Sequence, residues 1–197
     1  MTKVAVVFAD GCEEVEGLSV VDVLRRLNIP TDMIGLNRTT ILGAHQIKIT
    51  ADKAVDHSLL DYDLVAFPGG KKGAENLRDD SKLADLMTQR HESGKWDAAM
   101  CAAPIALARY GVLNQATYTC YPGFETQTKK DAPSGHFVEN ITVTDQKEKI
   151  ITSRGPATAW AYAYTIAQAL GVDTAALEHG MLYDYLQDHA QTGIVIA

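Results

Sequence analysis

Short apolar runs alternate with amphipathic stretches along most of the chain. Val4 to Phe8 is rich in β-branched residues and stops at Ala9-Asp10-Gly11, the pattern of a strand buried on both faces. Glu13 to Asn28 carries Val15, Leu18, Val21, Val23, Leu24 and Leu27 at helical spacing. Acids lie in its first turn and Arg25-Arg26 in its last, as a helix dipole prefers. Thr31 to Leu36 reads as a second strand, and Thr39 to Thr50 as a hairpin or edge excursion around Gly43. Asp63 to Phe67 is a third buried strand, stopped by Pro68-Gly69-Gly70. A helix over Ser81 to Glu92 and a strand over Trp96 to Met100 lead to Cys101. Ala102 to Tyr110 reads as a helix, with Pro104 in its first turn, where a missing N–H costs nothing, and Gly111 at its end. Ala116 to Cys120, Ile141 to Asp145 and Lys149 to Thr152 read as strands. Gly155-Pro156 opens a helix to Leu170, and Thr174 to Leu186 reads as the last helix.

Strands alternating with helices predict the α/β class: a mostly parallel sheet with right-handed crossovers and helices on both faces. Ligands bind such sheets beyond the carboxyl ends of the strands. Three strand ends carry unusual residues: Gly11 to Glu16, Pro68 to Gly73, and Cys101 with its flanks. No repeat or linker divides the 197 residues, so a single domain over 1–197 is expected. The net charge of −7 disfavours a nucleic-acid partner that reads a basic surface. No apolar run approaches membrane length and no secretory signal opens the chain, so no membrane partner is expected. Three cysteines without C-x-x-C spacing argue against a disulfide framework or a zinc knuckle and favour a cytoplasmic location. Gly69 to Gly73 lacks the spacing of a phosphate loop, so nucleotide binding is rejected.

Cys101 sits where a buried strand turns directly into a helix, with the small residues Ala99 and Ala103 two positions to either side. That is the arrangement of a nucleophile elbow, with Cys for Ser and Ala for Gly. Free amides and the positive dipole at a helix N-terminus stabilise thiolate, pulling the pKa below its usual value of about 8.5. The plainer reading of Cys101 is a small buried hydrophobe.

The segment Ala98-Ala-Met-Cys-Ala-Ala-Pro104 resembles the cysteine motif of the ThiJ/PfpI superfamily, and more narrowly its DJ-one branch, the Parkinsonism-associated deglycases. Asp10 to Glu16, Phe67 to Gly70 with Gly73-Ala74, and Thr152 to Pro156 match further motifs in the same order. The resemblance runs from near residue 3 to near residue 171. It implies a flavodoxin-like three-layer sandwich and a homodimer, whose two-fold interface would involve the helix beginning at Glu13. It also implies that Cys101 is the reactive cysteine, that Glu16 is its carboxyl partner, and that backbone amides of Gly70 and Ala102 face the site. Position alone gives Glu16 no preference over Glu13 and Glu14, which are ordinary first-turn acids.

Tyr121 stands where some relatives carry a histidine before the proline, and Ala102 where the peptidase-like branches carry one after the cysteine. Both departures argue against a cysteine peptidase or an amidotransferase-like hydrolase, which needs an imidazole base. Gly69, Tyr121, Cys120, Cys12 and Arg154 are pocket candidates. Cys12 or Cys120 would resolve an oxidised Cys101 or bind a soft metal; the plainer reading is of two small buried thiols. For Arg154 the plainer reading is an ion pair.

The resemblance implies handling of small reactive carbonyls or early glycation adducts, of the glyoxalase III and deglycase kind, with no metal, cofactor or glutathione. A redox sensor acting through oxidation of Cys101 would use the same residues.

Overall fold

The computed structural model describes residues 2–190. Its strands are β1 (Val4–Phe8), β2 (Thr31–Gly35), β3 (Thr40–Leu42), β4 (Lys48–Thr50), β5 (Lys53–Ala54), β6 (Leu64–Phe67), β7 (Trp96–Met100), β8 (Thr117–Tyr118), β9 (His136–Phe137), β10 (Thr142–Asp145) and β11 (Ile150–Ser153). The helices are α1 (Glu14–Arg26), α2 (Lys71–Asp79), α3 (Ser81–Glu92), α4 (Pro104–Arg109), α5 (Glu125–Asp131), α6 (Ala159–Ala169), α7 (Ala175–Gly180) and α8 (Tyr183–His189).

Seven strands form one sheet in the order β10-β11-β7-β6-β1-β2-β5. Only the β10–β11 pair is antiparallel. Every residue of β1 and β6 is buried, because helices cover both faces of a parallel sheet. The helices pack in two groups, α1 with α6 and α2 with α3 and α4. This is the flavodoxin-like α/β architecture, with β7, β6 and β1 side by side at its centre.

Four local readings change. The strand expected over Ala116 to Cys120 shrinks to β8, which pairs with β9 outside the main sheet. Its continuation is held instead by Thr119 N donating to Thr152 Oγ1 (2.9 Å) and Tyr121 N donating to the Cys101 carbonyl (2.8 Å). Helix α2 went unforeseen because its apolar stripe is only Ala74 and Leu77. Helix α5 (ETQTKKD) buries only Thr128, so it has no apolar period to read. The helix expected over Thr174 to Leu186 is two helices, broken where Leu182 adopts a left-handed φ of 59° just after Gly180, a weak helix former.

One fully buried ion pair, Arg90 with Asp97, lies in the core. Arg90 on α3 is fully buried and donates to Asp97 Oδ1 (3.2 Å) and to the carbonyls of Leu59 (2.8 Å), Tyr62 (2.6 Å) and Trp96 (3.0 Å). These bonds tie α3, the turn before β6 and the start of β7 together. Arg90→Met leaves Asp97 buried without its partner, so urea unfolding should show a loss of about 3–5 kcal/mol. Replacing Asp97 with Leu in the same chain should restore most of it, since an apolar pair carries no such penalty.

Candidate active site

The carboxyl ends of β1, β6 and β7 converge, and each supplies one wall of a small site. After β7 the chain turns at Cys101, whose φ is 59°. A left-handed conformation costs a residue with a Cβ about 1–2 kcal/mol, so its neighbours must hold it. Cys101 N donates to the Ser153 carbonyl (3.0 Å), and the Cys101 carbonyl accepts from Tyr121 N. Ala99 and Ala103 are fully buried, where larger side chains would strike the packed turn. Cys101 is buried, with the whole residue at 8% exposure.

Glu16 projects from the first turn of α1 and is fully buried. One carboxyl oxygen, Oε2, accepts from Gly69 N at 2.6 Å. The carboxyl also lies close enough to the Cys101 thiol for the two to couple through a hydrogen bond. Gly69 stands in the gap: a Cβ there would lie 2.6 Å from Cys101 Cβ and 2.8 Å from Glu16 Oε2. Gly70 has φ 79°, and a Cβ there would lie 2.4 Å from the Gly11 carbonyl oxygen. These two glycines let the β6–α2 turn press against both other turns. Glu13 N donates to the Gly69 carbonyl (3.0 Å), fixing the β1 turn to the β6 turn. The amides of Gly70 and Ala102 lie near enough to Cys101 to pull its thiol pKa down.

Burial pushes the Glu16 carboxyl up to about 7, against the pull of the Gly69 amide and Cys101. Burial also pushes the Cys101 thiol up, helped by any negative charge on Glu16, while the Gly70 and Ala102 amides pull it down. The pair therefore gives up one proton near neutrality and holds the second far more tightly. The lowered thiol pKa expected at a helix N-terminus is opposed here by burial, which pushes the Cys101 thiol up. A low thiol pKa belongs only to the state in which Glu16 keeps its proton and donates it to sulfur.

Cys12 and Cys120 are fully buried, and burial pushes each thiol up to about 12. Such thiols pack as small apolar groups and make poor resolving partners. Tyr121 is exposed, and its ring packs on the Gly155 backbone beside the Cys101 turn. Arg154 makes the ion pair of the plainer reading, with Nη2 at 3.3 Å from Glu139 Oε1. Glu14 is the residue that position alone missed. It is buried, and it accepts from the amides of His45 (2.8 Å) and Ile47 (3.4 Å) and pairs with His45 Nδ1 (2.9 Å), anchoring the β3–β4 turn. The one signal was Gly43, where a Cβ would fall 2.1 Å from Glu14 Oε1. Glu13, Glu14 and His45 bring three ligand atoms within 4.8 Å of one another, but Glu14 spends its oxygens on this turn. Among the described residues, no helix is long and apolar enough to cross a membrane.

A model of the DJ-1/PfpI family matches residues 2–169. The chain is similar to protein dj-1beta of Drosophila melanogaster, at 34% identity over 178 residues, 86% of this chain and 90% of that protein. It is also similar to DJR-1.2 of Caenorhabditis elegans, named a glutathione-independent glyoxalase. That match is 27% identical over 164 residues, 82% of this chain and 84% of the relative. The crystal structure of Drosophila melanogaster DJ-1beta matches with a TM-score of 0.84 at 33% identity, over 92% of this chain and 98% of that one.

Proposed function

The chain belongs to the DJ-1/PfpI family, and on that premise we propose that it is a cysteine-dependent enzyme acting on small reactive carbonyls without glutathione or metal. The observation that carries this is the buried carboxyl of Glu16, raised to about 7, beside a Cys101 thiol on a strained turn. Groups that share one proton near neutral pH suit both thiolate attack and proton transfer.

With methylglyoxal, the Cys101 sulfur forms a C–S bond to the aldehyde carbon, and the carbonyl oxygen takes the proton from Glu16. Amides of Gly70 and Ala102 steady the charge as it moves from sulfur to oxygen. Glu16, now a carboxylate, removes the proton from the former aldehyde carbon and returns one to the neighbouring carbon, while the hydroxyl proton of the adduct passes to the neighbouring carbonyl oxygen. That leaves a thioester beside a secondary alcohol, so one carbon is oxidised as the other is reduced. Water then cleaves the thioester to lactate and frees the thiol. Deglycation of early glycation adducts would begin with the same attack. The relative named a glutathione-independent glyoxalase supports this reading.

The test is lactate formation from methylglyoxal by the purified chain without glutathione and after chelator treatment. Absence of turnover would overturn the enzyme reading. If peroxide then oxidised Cys101 ahead of Cys12 and Cys120, the sensor reading would replace it, because a protonated Glu16 also hydrogen-bonds a sulfinate oxygen.

We also propose a cytoplasmic homodimer. Val15 and Leu18 on α1 and Trp160 on α6 are exposed apolar groups on the two helices that pack together. Light scattering at micromolar concentration should give twice the mass of one chain, and Leu18→Glu should lower it towards one.

A further inference from the structure

Two buried oxygens on facing helices lack partners. Glu16 Oε1, on α1, has no hydrogen-bond partner of good geometry among the described residues. The hydroxyl of Tyr162, on α6, is equally unpartnered. Both side chains are fully buried, and α6 packs along α1. A buried hydroxyl left without an acceptor costs about 1–3 kcal/mol, so native structures almost always satisfy it. The remaining oxygen of Glu16 is an acceptor in need of a donor, and a tyrosine hydroxyl supplies one. The negative charge of Glu16 also opposes ionisation of the Tyr162 phenol, and no other charge is felt there as strongly. Deep burial keeps this phenol protonated, as a donor must be.

We infer that Tyr162 is a positioning residue of the Cys101 site: its hydroxyl donates a hydrogen bond towards Glu16 Oε1 through one buried water. The carboxyl is then held from both sides, by the Gly69 amide on Oε2 and, through that water, by the phenol on Oε1. Its plane is fixed against the sulfur. The bond favours the ionised carboxyl, so it moves the shared proton towards Cys101. Tyr162 thereby sets how much of the pair exists as thiolate beside a neutral Glu16. The charged and titratable groups facing Glu16 are Cys101 from the β7–α4 turn, Glu13 from the loop before α1, and Tyr162 from α6. Of these, only Tyr162 remains neutral throughout the working range and acts purely as a donor. This deepens the proposed catalytic reading, since the proton it places is the one that reading moves.

Tyr162→Phe removes the hydroxyl and keeps the ring. Loss of a donor to a carboxylate should raise the first proton affinity of the pair by about one pH unit. The share of singly ionised protein carrying its charge on sulfur should rise by up to about tenfold, read from ultraviolet thiolate absorbance with Cys12 and Cys120 replaced by Ser. In a Glu16→Gln background the same substitution should leave the Cys101 titration unchanged. A loosened core would act in both backgrounds, so this difference separates positioning from packing. Introducing 3-fluorotyrosine at position 162, a stronger donor, should shift the balance the opposite way, and this chain keeps the full aromatic packing if the Phe variant does not fold. An unchanged titration in Tyr162→Phe and in the fluorinated chain would overturn the inference, as would an equal shift with and without Glu16. The titration uses no substrate, so its failure is distinct from a failure to turn over methylglyoxal.

Discussion

Cys101→Ala is expected to lower methylglyoxal turnover by at least about 10⁴-fold, the scale seen when a covalent nucleophile is removed. Among the described residues, no neighbouring group can replace the sulfur. Cys12 and Cys120 are buried with thiols raised to about 12, and a carboxyl held at Gly69 has no path to a covalent adduct that water would readily cleave. Cys101→Ser should be nearly as inactive, because a hydroxyl in the same place has a far higher pKa and, among the described residues, no imidazole is hydrogen-bonded to it as a base. Stability should barely follow. Cys and Ala both carry a Cβ, so both bear the strain of φ 59°, and urea unfolding should place Cys101→Ala within about 1 kcal/mol of the parent. Lactate formation and urea unfolding measured on the same preparations separate chemistry from folding. Activity within about tenfold of the parent would remove the thiol from the reaction.

The central strands were readable because β1, β6 and β7 are covered on both faces and so are almost wholly apolar. The cysteine turn was readable because crowding at a strand-to-helix turn demands Ala99 and Ala103, and Pro104 fits only where a helix begins. The acid was not. Glu13, Glu14 and Glu16 share the start of one helix, and their fates are decided by partners far along the chain. Glu14 meets His45 and Ile47, while Glu16 meets Gly69, 53 positions away. Hydropathy carries no record of such partners; family resemblance selected Glu16, and the packing of the three turns gives the physical reason. Tyr162 was hidden for a related cause. In an apolar helix such as α6 a tyrosine reads as one more core residue, and only the orphaned hydroxyl distinguishes it. Helices α2 and α5 lacked the apolar period by which a helix is recognised.

Substitutions at Glu16 should divide its two duties. In Glu16→Gln, the amide oxygen still accepts from Gly69 N and the amide nitrogen still donates to sulfur. The thiolate should therefore form readily, freed from a competing anion, yet turnover should fall by about 10²–10⁴-fold because an amide cannot take and return a proton. Glu16→Leu loses both duties: Gly69 N is left buried without an acceptor, and thiolate faces an apolar group. Its Cys101 should titrate higher than in Glu16→Gln, with Cys12 and Cys120 replaced by Ser in every chain. An equal titration in the two variants would mean that the Gly70 and Ala102 amides alone set the thiol. Stability gives an independent reading of the same group. The folded-state value of about 7 lies above the ordinary 4.5. A raised carboxyl favours folding fully below the unfolded value, and that contribution is lost as pH rises through 7. Glu16→Gln has no such loss. Its stability relative to the parent should rise between pH 4.5 and 7 by on the order of 3 kcal/mol, read by urea unfolding at either end of that window. A flat difference across the window would mean that Glu16 ionises in the fold as easily as in water. The proton proposed to pass between Glu16 and Cys101 would then be gone before the reaction began.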